Sequence, residues 1–389
     1  MSNPIAGKHI ILGVTGSIAA YKAAILASKL TQAGAKVDCI LTESATQFIN
    51  PLTFQTVTGR KAYLDQDLWA REGHVVHIGL AHETDLVLIA PVSANTLAKL
   101  AHGIADNLLS VTALAATCPL VLAPAMDAGM YAHPATQQNV QMLKERGAEF
   151  IGPRPGHLAS GLVGLGRFAE PETIVSRVRY LLGKNGRLAG KRILLTAGPT
   201  QEALDPVRYI SNRSSGKQGY AIAQALLDEG ATVILVSGPT NLPLPEGAQV
   251  IAVISAAEMK DAVMTHLKDK DAFISVAAVA DFTPSSTAGE KIKKTGQNLT
   301  LELMPTVDIL RTVSEERRRS NPGMLVIGFA AETTQTYQNA IKKLQEKGLD
   351  LIIVNDVGQP QPVFGADENK VTFISADGQV QEFPWMPKY

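Results

Sequence analysis

Residues 8–17, KHIILGVTGS, and residues 191–200, KRILLTAGPT, carry one pattern: a basic residue, a short apolar run and a glycine-bearing turn. Each reads as a strand buried on both faces that ends in a loop. Runs of the same kind follow both. VDCILT, DLVLIAP and PLVLAP come after the first, and TVILVSG, AFISVAA, LVIGFAA and LDLIIVN after the second, with amphipathic stretches between them. That alternation specifies βαβ units, and hence an α/β chain of two doubly wound parallel-sheet domains, Rossmann or flavodoxin-like. The polar stretch GKNGRLAGK at 183–191 marks the boundary and predicts domains over 1–187 and 188–389. In the tail, VTFISADGQVQEFP predicts a hairpin around its DG turn. Ligands of such sheets bind beyond the carboxyl ends of the strands.

Composition narrows the function. Lys+Arg and Asp+Glu both number 36, so the net charge is zero, which argues against a nucleic-acid partner. Cys39 and Cys118 sit in apolar runs and read as structural thiols, with no spacing that suits a metal or a disulfide framework. The N-terminus lacks a signal-peptide pattern, and no run reaches the roughly 18 apolar residues of a membrane helix. The expectation is a cytoplasmic protein with no membrane partner.

Three strand-end loops of the first half carry candidate chemistry. Thr15, Gly16 and Ser17 precede a helix: Gly16 allows close approach of a ligand, and Ser17 can cap the helix and bind an anion. Ser93, Ala94, Asn95 and Thr96 follow DLVLIAP and suit a phosphate or a flavin's polar edge. A plain capped helix would explain either loop equally well. The third loop, Ala125 to Tyr131, contains Asp127.

These motifs, in this order, give the chain its likeness. GVTGSIAAYK, the segment around His77, APVSANTLAKLAHGIADNLL and PAMDAGMY resemble the homo-oligomeric flavin-containing cysteine decarboxylases. Within that group they resemble the decarboxylase half of the bifunctional phosphopantothenoylcysteine decarboxylase/phosphopantothenate–cysteine ligases of coenzyme A biosynthesis. The resemblance implies FMN held by Gly16, Ser17 and the Ser93–Thr96 loop, and His77 as a catalytic residue. It also implies trimers joined through ligase dimers, up to a dodecamer. The implied chemistry oxidises the cysteinyl thiol of 4'-phosphopantothenoylcysteine, so that the electrons left by CO2 have an acceptor, and then reduces the resulting enethiol to 4'-phosphopantetheine. Two positions depart from the family pattern: Asp127 stands where it has asparagine, and Ser160, in GHLASGLVGLGRF, where it has a proton-donating cysteine. A hydroxyl is a far weaker acid than a thiol. The expectation is therefore that Asp127 itself is the protonated donor.

In the second half, Ser214 to Lys217 (SSGK) supplies hydroxyls, a glycine and a cation ahead of a helix. Asp281 ends a strand, and Lys291 follows in EKIKK. Phosphate binding suits the first place and nucleotide phosphates with Mg2+ the second, as a plain capped loop and a solvated lysine run respectively also do. DPVRYISNRSSGKQGYAIA, SVAAVADF, EKIKK, GFAAET and IKKLQEKGLDLIIVND resemble phosphopantothenate–cysteine ligase. That resemblance implies a CTP-dependent joining of cysteine to 4'-phosphopantothenate through an acyl-cytidylate. Asn212 would contact the acyl-cytidylate and Lys291 the phosphates. Ser275, Val276, Ala277, Asp281, Pro305, Thr306, Val307, Asp308, Phe329, Lys343 and Lys347 would surround CTP, with Asp281 on the metal. Val307 replaces a family proline, and the family's closing helix is not evident in FPWMPKY. Two rivals remain. A flavin prenyltransferase-like enzyme would leave the second half unexplained, and a working ligase carrying a non-catalytic flavin module is kept open by Asp127 and Ser160.

Overall fold

The computed structural model describes residues 3–69, 75–294, 298–332, 336–356 and 365–389. By its contacts the chain divides into two compact units between Leu182 and Gly183.

In the first unit, β1 (His9–Val14), β2 (Lys36–Leu41), β3 (Ala62–Tyr63), β4 (Leu86–Val92), β5 (Leu120–Pro124) and β6 (Glu149–Phe150) form one sheet. Their order is β3-β2-β1-β4-β5-β6 and all neighbours are parallel. A hairpin, β7 (Arg154–His157) and β8 (Val163–Arg167), stands apart from it. The helices are α1 (Ala20–Gln32), α2 (Glu43–Thr46), α3 (Pro51–Thr58), α4 (Val76–Glu83), α5 (Ala94–His102), α6 (Leu108–Ala115), α7 (Ala128–Ala132), α8 (Pro134–Glu145) and α9 (Pro171–Gly183). Strand alternation divides the apolar residues of β1 between two cores. Ile10, Leu12 and Val14 pack with Leu26 and Leu30 of α1 on one face, while Ile11 packs with Leu97 of α5 and Leu108 of α6 on the other.

One buried charge cluster pins the amino ends of β1 and β2. His9 places Nδ1 3.0 Å from the Glu83 carbonyl and Nε2 2.6 Å from the Asp38 carboxylate. Both nitrogens face acceptors, so the ring is held as the doubly protonated cation. Arg60 donates twice to the same carboxylate, at 2.7 and 2.8 Å.

The second unit repeats the plan. Its strands are β9 (Arg192–Ala197), β10 (Gln201–Ala203), β11 (Tyr209–Ser211), β12 (Thr232–Ser237), β13 (Gln249–Ala252), β14 (Ala272–Ser275), β15 (Phe282–Pro284), β16 (Leu303–Pro305), β17 (Leu325–Glu332), β18 (Leu351–Asp356), β19 (Glu368–Asn369), β20 (Val371–Ser375), β21 (Val380–Glu382) and β22 (Met386–Pro387). Its helices are α10 (Lys217–Asp228), α11 (Ala256–His266), α12 (Ile309–Ser320) and α13 (Thr336–Lys347). The main sheet runs β13-β12-β9-β14-β17-β18-β20-β21. Six strands are parallel, then β20 and β21 form an antiparallel hairpin about Gly378, whose φ is 86°. In both sheets strand order reverses beside the first strand, between β1 and β4 and between β9 and β14. That reversal opens a crevice at the carboxyl edge.

Candidate functional sites

Thr15 fastens the first two loops together. Its buried hydroxyl donates to the Pro91 carbonyl and accepts from the Ser93 amide, both at 2.9 Å. The turns after β1 and β4 therefore form one unit at the crevice. Ser93 is the N-cap of α5: its Oγ accepts from the Thr96 amide at 3.3 Å and donates to the buried Thr96 hydroxyl at 3.2 Å. The first-turn amides of Ala94 and Asn95 emerge at the positive end of that helix, a setting for an anion.

Gly16 has a packing role besides the one expected, and the capping role expected of Ser17 is not found. A side chain at Gly16 would put its Cβ 2.6 Å from that of Ser44, so packing against the segment after β2 demands the glycine. Ser17 does not cap α1. The cap position is Ala19, and the Ser17 hydroxyl accepts from the Ala19 amide at 3.2 Å. Its oxygen keeps a second lone pair and a proton for a ligand. His77 lies in the first turn of α4, a helix that leads back to the start of β4 and so begins at the sheet's carboxyl edge. Its Nδ1 is buried and has no hydrogen-bond partner among the described residues.

Asp127 and Ser160, the two departures from the family pattern, meet. The Ser160 hydroxyl, at the tip of the β7–β8 hairpin, donates to Asp127 Oδ2 at 2.7 Å, and Asp127 Oδ1 accepts from the Gly129 amide at 2.9 Å as the N-cap of α7. The Ser160 bond first, and the Gly129 amide second, hold this exposed carboxyl below its ordinary value of 3.8. Both bonds favour the charged form, so Asp127 stands here as an ionised acceptor, where a protonated donor was expected. The sequence reading missed how the hairpin is fixed. A Cβ on Gly166 would lie 2.2 Å from the Met126 carbonyl oxygen, and one on Gly164 would lie 2.6 Å from the Cβ of Ala128. The Met126 amide donates to the Gly166 carbonyl at 3.1 Å.

The second crevice is a cavity of about 820 Å³. Asn212, Ser275, Val276, Ala277, Asp281, Thr306, Val307, Asp308, Phe329, Lys343 and Lys347 all line it. Asn212 donates to the carbonyls of Ala278 and Val279 at 3.1 Å each, which leaves its oxygen to face a ligand. Thr196, in β9, accepts from the amides of Val276 and Ala277 at 3.2 Å. Asp308 caps α12 through the Arg311 amide and pairs with Lys347 at 2.8 Å. Gly216, with φ of 78°, brings the SSGK turn to α10, and a Cβ there would meet Thr240 at 2.7 Å.

Two expected residues lie outside the lining. Lys291 is exposed on a loop held elsewhere: buried Asp205 accepts from the Ile292 amide at 3.1 Å, and Arg208 donates to the Ile292 carbonyl. Pro305 is exposed and sits opposite Phe282 in the β15–β16 pair. Conversely, Lys217, Asn355, Asn369 and Lys388 line the cavity, although of these only Lys217 and Asn355 lie within the motifs that carry the ligase likeness. Lys217 donates to Asp367 and to the Gly365 carbonyl, both at 2.7 Å. Burial, followed by the nearby charge of Lys217, lowers the Lys388 ammonium from its ordinary 10.5.

Comparison with known proteins decides the family. Residues 1–183 match the flavoprotein family, and residues 188–389 match the DNA/pantothenate metabolism flavoprotein C-terminal domain. The coenzyme A biosynthesis bifunctional protein CoaBC of Bacillus subtilis (strain 168) is 46% identical over 384 residues, spanning 98% of this chain and 94% of that protein. The chain belongs to the bifunctional coenzyme A biosynthesis family. Like its relatives, this bifunctional coenzyme A biosynthesis enzyme joins a flavin-dependent decarboxylase and a ligase in one polypeptide. The CoaBC protein of Mycobacterium tuberculosis (strain CDC 1551 / Oshkosh) is 42% identical over 383 residues, 95% of this chain and 91% of that one. Among solved structures, a C-terminal domain of a CoaBC protein is 44% identical and covers 51% of this chain and 88% of its own, with a TM-score of 0.43. A cysteine-to-serine variant of PPC decarboxylase complexed with pantothenoylaminoethenethiol is 37% identical over 44% of this chain and 97% of its own, with a TM-score of 0.41.

Proposed function

We propose that residues 188–389 form the ligase, joining cysteine to 4'-phosphopantothenate at the expense of CTP, and that residues 1–187 form the decarboxylase acting on the 4'-phosphopantothenoylcysteine so made. One observation carries the ligase reading. Asn212, the 275–281 segment, the 306–308 turn, Phe329 and two lysines of α13 converge on one cavity at a strand-order reversal. The α10 N-terminus, Lys217, Lys343 and Lys347 suit the phosphates of CTP and of 4'-phosphopantothenate. Mg2+ would need ligands from the nucleotide. Among the described residues no three His, Cys, Asp or Glu side chains cluster, so the lone carboxylate of Asp281 would be completed by phosphate oxygens. Asn212 would hydrogen-bond the acyl-cytidylate through its amide oxygen. Lys291 would serve the phosphates only after its loop left Asp205.

In the decarboxylase half, the donors fit FMN: the α5 N-terminus and Ser93 for its phosphate, with Ser17 beside them. The unpartnered Nδ1 of His77 fits a ligand arriving from outside the described set. FMN supplies the two-electron oxidation that makes loss of CO2 possible. The chain's own part is to orient the substrate, with the hairpin closing over it, and to move protons. Among the described residues no helix is long and apolar enough to cross a membrane. The reading is of a cytoplasmic homo-oligomer, built as trimers joined through ligase dimers. The test is incubation with 4'-phosphopantothenate, cysteine, CTP and Mg2+, following pyrophosphate and CO2. Neither product appearing would refute the reading.

A further inference from the structure

The part of the ligase cavity lined by Gly365, Asn369 and Lys388 stands outside the main sheet. β19, which carries Asn369, and β22 of the tail form a two-stranded sheet of their own, with Glu368 opposite Pro387 and Asn369 opposite Met386. Lys388 reinforces the pair: its amide donates to the Asp367 carbonyl at 3.0 Å and its Nζ to the Ala366 carbonyl at 2.7 Å. Side chains tie this wall to the first turn of α10. Lys217 reaches Asp367 and the Gly365 carbonyl, and Asn369 Nδ2 donates to Gln218 Oε1 at 3.1 Å.

The residue after Lys388 makes a second attachment, at the other end of the same helix. The Tyr389 hydroxyl donates to Asp228 Oδ2 at 2.6 Å, and Gln224 Nε2 donates to Oδ1 at 3.0 Å. Asp228 is the last residue of α10 and only 7% exposed, and a carboxylate so buried needs its donors. Burial decides which tie is the stronger. The Asp367 side chain is 89% exposed, and an ion pair so open to water contributes little. A hydroxyl bonded to a buried carboxylate contributes more, because the bond is charge-assisted and water competes less for either partner. Tyr389 and Asp228 themselves lie outside the cavity lining.

We infer that Tyr389 is a positioning residue for ligation. Its bond to Asp228 holds β22 against α10, and β22 in turn holds the Gly365, Asn369 and Lys388 wall where the cavity takes up its phosphorylated substrates. Apparent affinity falls in proportion to the population of the competent arrangement, so loosening the tail weakens substrate binding without any contact between Tyr389 and substrate.

The inference rests on the reading of this cavity as the ligase site, and the two fail separately. An Asn212→Ala variant that joins cysteine at the wild-type rate sinks that reading. With Asn212→Ala impaired, Tyr389→Phe, which keeps the ring and removes the hydroxyl, is expected to raise the KM for CTP, for 4'-phosphopantothenate or for both about tenfold, equivalent to about 1.4 kcal/mol, with kcat little changed. Asp228→Ala should act alike, and adding Tyr389→Phe to it should raise KM no further, since both remove one bond. Decarboxylation of added 4'-phosphopantothenoylcysteine, followed in the same samples, should stay at the wild-type rate. A purely structural tyrosine would behave otherwise: kcat would fall in step with the folded fraction, read from the urea midpoint, while both KM values held. That pattern, or effects of the two substitutions that multiply in the double variant, would overturn the inference.

Discussion

Replacing Thr15 by valine tests whether the two flavin loops are held as one. Valine keeps the shape of threonine and removes only the hydroxyl, so nothing else in the 1%-exposed site need move. Two bonds are lost. The Ser93 amide loses its acceptor at 2.9 Å, leaving a donor short of a partner at about 1–3 kcal/mol. The Pro91 carbonyl loses one of two donors, since the Thr15 amide still reaches it at 3.3 Å, a smaller loss of about 0.5–1.5 kcal/mol. The sum, about 1.5–4.5 kcal/mol, should appear as a lowered urea midpoint for the first unit, read by its own probe in the full chain. Because the amides around Ser93 would no longer be fixed before a ligand arrives, FMN affinity should fall at least about tenfold. Flavin fluorescence titration measures that, and ligase turnover in the same sample serves as control. A variant less than about 0.5 kcal/mol destabilised, with unchanged FMN affinity, would show that the hydroxyl does not join the loops.

Further outcomes follow from the same geometry. Gly166→Ala puts a Cβ 2.2 Å from the Met126 carbonyl oxygen. The overpacking, about 1–3 kcal/mol, should lift the β7–β8 hairpin and cut decarboxylation about tenfold while ligation in the same chain continues; equal losses in both would refute this. Ser160→Cys replaces a hydroxyl committed to Asp127 by a thiol titrating near ~8.5. It should speed formation of 4'-phosphopantetheine by about tenfold or more with CO2 release little changed, and a slower variant would count against it. The His9–Asp38–Arg60 cluster predicts a pH window. The bond to Asp38 raises His9 above its ordinary 6.5 against the opposing effect of burial, so its contribution is complete below about 6.5 and fades as pH climbs through the raised value. For Asp38 burial acts upward, but the bonds from His9 and Arg60 outweigh it and lower the group from 3.8, so that contribution fades as pH falls through the lowered value. Urea midpoints from pH 5 to 9 should decline at the alkaline end in wild type and stay flatter in His9→Gln; parallel curves would exclude the cluster as their cause.

The two sheets were legible because runs such as HIILGV and RILLTAG are apolar through their middles and buried on both faces, with polar residues only toward their ends. The strand-end loops were legible for a related reason: a parallel sheet sends its ligands to one edge. What escaped the reading depends on contacts distant in sequence. Nothing in GHLASGLVGLGRF says that its glycines exist to clear the Met126 and Ala128 backbone, and nothing in PAMDAGMY says that Asp127 accepts from a serine 33 residues away. The lowered pKa of Asp127 follows from that bond, which residue type alone could not announce. Lys291 lies outside the cavity lining for the opposite reason. Its motif is local, but its position is set by Asp205 and Arg208 on the β10–β11 side. Asn369 gave no signal, since a lone asparagine in a tail acquires meaning only when β19 and β22 fold it against Gln218.

A single construction underlies both crevices. In each unit a threonine of the sheet's first strand, or just past its end, reaches across the reversal point to the loop after the neighbouring strand: Thr15 to Pro91 and Ser93, Thr196 to Val276 and Ala277. What differs is the segment that follows. After β4 the chain turns at once into α5, so the fastened amides become a helix N-terminus, suited to gripping one phosphate of a resident cofactor. After β14 the chain runs past Asp281 into the β15–β16 arm, where Thr306 donates to the Ala280 carbonyl at 2.6 Å and α12 begins only at Ile309. The helix is displaced by an arm, and the crevice widens into a cavity large enough for a triphosphate and a second substrate together. A resident cofactor needs a tight loop and a pair of reactants needs room. The sequence difference that separates the two is whether a helix or a strand follows the fourth strand of the sheet.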